Sequence, residues 1–161
     1  MRIAALALLG LLLALPGWAL EGRVVRVSDG DSLWLRPAAG GRSLRVRLQG
    51  IDAPEICQAG GDHARRALEA LVLNRTVELQ PQGHDGYGRT LARVRVAGPG
   101  ASFDVGARLV AEGAAWSYRY RDDLGPYRAE ELRAIAARRG LHAYAPAVLP
   151  REFRRTHGTC K

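Results

Sequence analysis

The hydrophobic period of the chain changes between residues 48 and 64, and this limits the possible folds more than any other feature. Leu44, Val46 and Leu48 alternate with Arg45, Arg47 and Gln49. That is the period of a strand with one face on a core, and it sends Arg47 to the opposite face. From Asp62 onward, Ala64, Ala67, Leu68 and Leu71 follow i, i+3, i+4, i+7 spacing, which predicts a helix capped by Asp62 and stopped at Asn74. Two further strands precede this pair. Gly22–Val27 is rich in β-branched residues and Ser32–Arg36 alternates, with the turn Ser28-Asp29-Gly30-Asp31 between them and a loop at 37–41 after them. Beyond the helix, 76–79 and 90–96 read as strands joined by the glycine-rich segment Gly83-His84-Asp85-Gly86-Tyr87-Gly88-Arg89. A second helix fits Asp104 to Glu112, stopped by Gly113, and a third fits Pro126 to Arg139, stopped by Gly140. The tail from Ala145 has no clear period.

Three strands, a helix, two strands and two helices predict an α+β fold, a five-stranded OB-type Greek-key β-barrel with three helices. The length of 161 residues suits one domain with a full core. A hydrophobic fraction of 47% argues against disorder, and no repeat suggests a solenoid. Residues 1–19 stand apart. A positive start at Met1-Arg2, an uncharged Leu/Ala run to Pro16 and the small-x-small pattern Gly17-Trp18-Ala19 read as a signal peptide cleaved after Ala19. The other reading is a retained anchor, but the run is shorter than the ~20 residues of a spanning helix. The expected organisation is a signal peptide at 1–19, the barrel domain at 20–144 and a basic tail at 145–161. The product would be periplasmic or secreted, monomeric, and free of the membrane once processed.

The net charge of +8 points to an anionic partner, and all but one of the 24 basic residues are arginine, the fork that matches phosphate. Acidic residues cluster just after strands. Asp31 ends the first turn, and Asp52-Ala53-Pro54-Glu55 follows the arginine-bearing strand, with Pro54 restricting the segment. Asp31, Asp52 and the Ala53 carbonyl could supply the oxygens that a hard cation prefers. Each carboxylate alone would read as a turn former or a solvated end. Together with Arg47 and Arg89 they form a charge-alternating set suited to phosphodiester cleavage: a metal neutralises a phosphate oxygen, arginines take the charge on the others and a spare carboxylate activates water.

The segments Asp29-Gly30-Asp31-Ser32, Arg47-Leu48-Gln49-Gly50-Ile51-Asp52-Ala53-Pro54-Glu55 and Asp85-Gly86-Tyr87-Gly88-Arg89 resemble the thermonuclease, or staphylococcal-nuclease-like, family. The similarity runs from about Glu21 to Tyr144 and includes the Tyr118/Tyr120 pair and the helix ending at Gly140-Leu141. The resemblance implies a Ca²⁺-dependent phosphodiesterase that cuts single-stranded DNA and RNA and leaves 3′-phosphate ends. It assigns Asp31, Asp52 and the Ala53 carbonyl to the metal, Glu55 to the attacking water, Arg47 to the scissile phosphate and Arg89 to the transition state or leaving group. Tyr87 and Tyr118 would border the nucleotide pocket. Ala53 stands where many members carry Thr, and His142 where Trp is usual.

Cys57 and Cys160 are the only cysteines. In an oxidising compartment an internal disulfide would tie the tail beside the acidic motif; two free thiols or an intermolecular bridge are the alternatives. The four histidines are scattered without metal spacing, and His84 is the one candidate for chemistry because it lies near Arg89. Tyr118 and Tyr120, set among Arg119 and Arg121, could stack bases and hold phosphates, or could simply cover the barrel end. The alternative to an enzyme is a catalytically silent OB-type module that keeps the basic surface, or a domain that uses its charge against acidic polymers. The intact set of Asp31, Asp52, Glu55, Arg47 and Arg89 favours the enzyme.

Overall fold

The structure is a computed structural model that describes residues 20–97, 102–143, 147–158 and 160. The leader read at 1–19 and the boundary drawn at 144/145 lie outside the described residues. Five strands form the barrel: β1 (Leu20–Val27), β2 (Ser32–Pro37), β3 (Leu44–Leu48), β5 (Thr76–His84) and β6 (Thr90–Val96). They run in the order β3-β2-β1-β5-β6, and a parallel pairing of β3 with β6 closes the ring, Val46 opposite Thr90 and Leu48 opposite Ala92. Alternation works as expected. Val24, Leu33, Leu35, Val46, Leu48, Leu79 and Val94 all point into one core. Burying each of the larger of these side chains stabilises the fold by roughly 1.5–3 kcal/mol.

The first helix, α1 (Gly61–Val72), seats Ala64, Leu68 and Val72 against the barrel, with Ala67 and Leu71 packed partly buried beside them. Its cap is Gly60, not Asp62. The reason is a close approach: a Cβ on Gly61 would lie 2.0 Å from the Glu55 carbonyl oxygen, so the helix begins against the loop that carries Glu55. Asp62 sits in the first turn and pairs with Arg65 and Arg66 at 2.8 and 2.9 Å. In α2 (Val105–Ala111) the Asp104 side chain accepts from the Ala107 N–H at 2.9 Å, a true cap. The third helix, α3 (Arg128–Ala136), is shorter than the sequence suggests. It fully buries Glu131, which is clasped by Arg119 at 2.7 Å and Arg128 at 2.9 Å. A buried carboxylate is tolerated only with such partners.

Three further features depart from the sequence reading. Strand β5 continues past Leu79 to His84, because the apparent breakers Pro81 and Gly83 flank a bulge in its pairing with β6, where a missing N–H is accommodated. A short ladder outside the barrel pairs β4 (Ile51–Asp52) with β7 (Trp116–Ser117), setting Asp52 opposite Trp116. The tail contains a fourth helix, α4 (Pro150–His157), where no period was legible. Its signals are local: Pro150 in the first turn beside Glu152, and Arg154, Arg155 and His157 in the last turn. Only Pro150 is buried, so the helix has no apolar stripe to read. Among the described residues no helix is long and apolar enough to cross a membrane.

Candidate active site

The site grows from the turn between β1 and β2. Asp29 Oδ1 accepts the Asp31 N–H at 3.0 Å, an Asx turn that fixes Asp31 at the head of β2. Gly30 lets that turn sink between two neighbours. A Cβ there would lie 2.7 Å from Ala53 Cβ and 2.6 Å from Ala64 Cβ, so only glycine brings Asp31 against the Asp52-Ala53 segment. Arg47, on the outer face of β3, completes the corner. Its Nη2 lies 3.1 Å from Asp31 Oδ2 and 3.2 Å from Asp52 Oδ1, with all three side chains less than one-fifth exposed.

Arg89 reaches the same corner by another route. Asp85 Oδ1 accepts the N–H groups of Tyr87 and Arg89, each at 2.9 Å, while Asp85 Oδ2 accepts Arg89 Nε at 2.6 Å. The guanidinium then donates through Nη1 to Ser32 Oγ at 3.0 Å, and Ser32 Oγ donates to Asp31 Oδ1 at 2.9 Å. Arg47, Asp52, Asp31, Ser32, Arg89 and Asp85 are thus one connected polar network. Glu55 stands beside it, partly exposed, its N–H donating to Gln58 Oε1 at 3.1 Å.

Negative charge is crowded here. Burial, reinforced by Asp31, pushes the Asp29 carboxyl up to about 6. Burial and then Asp31 also raise Asp52, against the opposing pull of Arg154 and Arg47. Burial works against the Arg47 charge, but Asp31 and Asp52 more than offset it and hold the guanidinium protonated. At the rim, hydrogen bonds from the Arg89 and Tyr87 backbone and from the Arg89 side chain overcome partial desolvation and keep Asp85 ionised.

Asp31, Arg47, Ala53, Glu55, Tyr87, Arg89 and Tyr118 all line one open cavity of about 1440 Å³. Asp52 reaches its edge through Arg47. Tyr87 and Tyr118 are exposed at the rim, and the Arg89 guanidinium lies 5.6 Å from the Tyr87 ring centroid, within cation–π range. Tyr120 also lines the cavity, but Arg119 is turned away onto Glu131 and is no free phosphate ligand. His84 is exposed on the end of β5.

Among the described residues no three acidic, histidine or cysteine side chains converge as a ready-made metal cage. The donor set still suits a hard cation. Two buried carboxylates offer oxygens within 3.2 Å of a single arginine nitrogen, and burial together with the neighbouring Asp31 charge raises Asp52, a cost that a bound divalent ion would offset. Ca²⁺ takes about 6–8 oxygen ligands, so two carboxylates and a carbonyl leave room for water and phosphate.

Sequence reasoning missed three contributors. Asp85 orients Arg89, and Asp29 shapes the Asp31 turn; both look like ordinary turn residues. The third is Arg154 of α4, whose Nη1 lies 2.6 Å from Glu55 Oε1 and 3.7 Å from Asp52 Oδ1. Its only signal was the pair of cysteines, which are bonded in the structure, Cys57 to Cys160.

Comparison with known proteins adds the following. A family profile described as staphylococcal nuclease homologue matches residues 45–143. Protein ParB of Escherichia coli is 40% identical, over 94% of this chain and 89% of its own. A micrococcal nuclease of Shigella flexneri is 36% identical, over 94% and 91%. An uncharacterized endonuclease of Haemophilus influenzae is 36% identical, over 83% and 72%.

Proposed function

The chain belongs to the staphylococcal nuclease family, and on that premise we propose that it is an exported, monomeric, Ca²⁺-dependent endonuclease that hydrolyses single-stranded DNA and RNA to products with 3′-phosphate ends. That it is a nuclease rests on its family and relatives. The observation that carries the finer reading is the polar network running from Arg47 through Asp31 and Ser32 to Arg89, on the same cavity as Glu55.

Asp31, Asp52 and the Ala53 carbonyl would hold the cation, which would supply a positive centre against a phosphate oxygen. Arg47 grips the scissile phosphate, and Arg89, held in line by Asp85, meets the charge that builds on the phosphoryl oxygens and the leaving oxygen. Glu55 accepts a proton from the attacking water as the water oxygen bonds to phosphorus. The bond from phosphorus to the 5′-oxygen breaks, the phosphate stays on the 3′-oxygen, and the departing alkoxide takes a proton from solvent. Tyr87 and Tyr118 supply ring faces for the neighbouring bases. The disulfide and the leader-like start at 1–19 support export to an oxidising compartment, periplasmic or extracellular.

The test uses the purified protein on single-stranded DNA and on RNA. Hydrolysis should require Ca²⁺, stop with EDTA, and yield ends that accept a 3′ label only after phosphatase treatment. Glu55→Gln should lower kcat by about 10²–10⁴-fold with KM little changed, since the base is lost and the phosphate grip remains. Binding without cleavage under any divalent ion would make the chain a silent OB-type nucleic-acid-binding module instead.

A further inference from the structure

Arg154 is foreign to the barrel. It sits on α4, which follows the last described residue of the barrel body, His142–Ala143, and returns to the mouth from outside. Its guanidinium makes the shortest polar contact of Glu55, 2.6 Å to Oε1, and also faces Asp52 Oδ1 at 3.7 Å. Oε2 of Glu55 has no such partner among the described residues, so the contact fixes the carboxylate while leaving one oxygen for water.

The way α4 is held matters as much as the contact. The helix has eight residues and buries only Pro150. A segment of that length is marginal by itself in water, and Pro150 with the half-buried Phe153 gives it little apolar surface to hold it down. Three ties fasten it, all to the loop that carries Glu55. Gln58 Nε2 donates to the Val148 carbonyl at 2.6 Å, Arg154 grips Glu55, and Cys160 is bonded to Cys57. Only the disulfide is covalent. It holds the strap at high effective concentration over the site, and without it one half-buried hydrogen bond and the partly exposed ion pairs of Arg154 remain.

We propose that Arg154 is a positioning residue for the Glu55 base, delivered to the active site by the Cys57–Cys160 bond, so that full nuclease turnover requires the oxidised protein. This rests on the function proposed above and deepens it. Reduction adds two electrons and two protons to the disulfide and gives two thiols, while a dithiol reagent closes to its own cyclic disulfide. Re-formation needs a disulfide donor, which is reduced to its dithiol. The nuclease would therefore be weak while its thiols are reduced, as before export, and reach full turnover once oxidised.

The experiment compares steady-state cleavage of a short single-stranded DNA, in saturating Ca²⁺, by oxidised and reduced wild type, Arg154→Ala, Arg154→Lys and Arg155→Ala. Arg154→Ala should lower kcat by about 10–100-fold, the cost of loosening a positioned group, with KM changed far less. Lysine should restore part of that loss. Arg155, an exposed neighbour, should be dispensable for kcat. Reduced wild type should fall to the level of Arg154→Ala, and reduction should then change Arg154→Ala by less than about twofold, since both remove the same contact. Circular dichroism of each species checks that the barrel persists. Unchanged kcat in Arg154→Ala, or a rise that would mark α4 as an inhibitory plug, overturns the proposal. So does a reduced wild type that keeps full turnover. If oxidised wild type fails to cleave under any divalent ion, the proposed function fails instead, which is a separate outcome.

Discussion

Two of the arginines at the mouth are built into the barrel and one is brought to it, and the two regions hold their charge by different physics. Arg47 rises from β3 and Arg89 from the turn immediately before β6. Each is less than one-fifth exposed and tied to at least two oxygens of the network. Their positions follow from barrel closure, since the pairing of β3 with β6 that sets Val46 beside Thr90 also brings the two arginines to one end. Arg154 comes from an eight-residue helix with one buried residue, about one-third exposed, and kept in place by a disulfide across 103 residues. Charge held by the core lasts as long as the fold. Charge held by a cross-link depends on the redox state of the surroundings. The site thus joins a permanent half to a conditional one.

The sharpest way to separate the halves is to remove a barrel arginine. Arg89→Ala deletes a donor aimed at the reacting phosphate and should lower kcat by about 10²–10³-fold, more than the loss expected for Arg154→Ala. Lysine at 89 should recover little, because it cannot serve Asp85 and Ser32 through one fork. Parallel kcat measurements on one oligonucleotide decide it. A loss at Arg89 no greater than that at Arg154 would erase the distinction between a residue that meets the substrate and one that positions another.

Stability gives the second contrast. Arg47 separates two buried carboxylates, so Arg47→Ala leaves them facing each other and should destabilise the fold by about 1–3 kcal/mol in EDTA. Ca²⁺ should return part of this by supplying the missing positive charge. Arg154→Ala breaks a pair whose members are 32% and 24% exposed, and should cost no more than about 1 kcal/mol. Urea unfolding midpoints with and without Ca²⁺ test both. Equal losses would mean that α4 is as much a part of the core as β3.

The same division explains what could be read from sequence. Leu44, Val46 and Leu48 declared their strand, and Ala64 and Leu68 their helix, because burial on one face imposes a period. Arg47 was placed correctly on the outer face by the same rule. Where structure is set by a single close contact, no period exists. The start of α1 at Gly61 depends on the nearby Glu55 carbonyl, and the length of β5 depends on a bulge that hides Pro81. Within the site, the short motifs carry the side chains that would touch substrate, but nothing in them tells that neighbours such as Asp29 and Asp85 orient those side chains. Asp85 reads as a turn residue, and Arg154 as one of several tail arginines. The cross-link from Cys160 to Cys57 brings the tail to the Glu55 loop, and only the folded structure shows that Arg154 is the arginine that meets Glu55.

Reduction of the disulfide should likewise have only a modest effect on the fold. In the chain-entropy account, closing a loop of ~100 residues stabilises a protein by ~4.7 kcal/mol, but only if the native state holds both ends in place without the bond. Here one end does not qualify. Pro150 is the one fully buried residue of α4, with Phe153 and Arg154 half-buried, so cutting the disulfide loosens the strap in the folded protein as well as in the unfolded chain. Much of the entropy difference then cancels, and reduction should lower stability by less than about 2 kcal/mol, the low end for native disulfides. Urea unfolding with and without a dithiol reagent reads this directly. A loss close to the full ~4.7 kcal/mol would make the strap a structural member of the barrel. A small loss of stability beside a large loss of kcat would be the signature of a bond that serves the active site rather than the core.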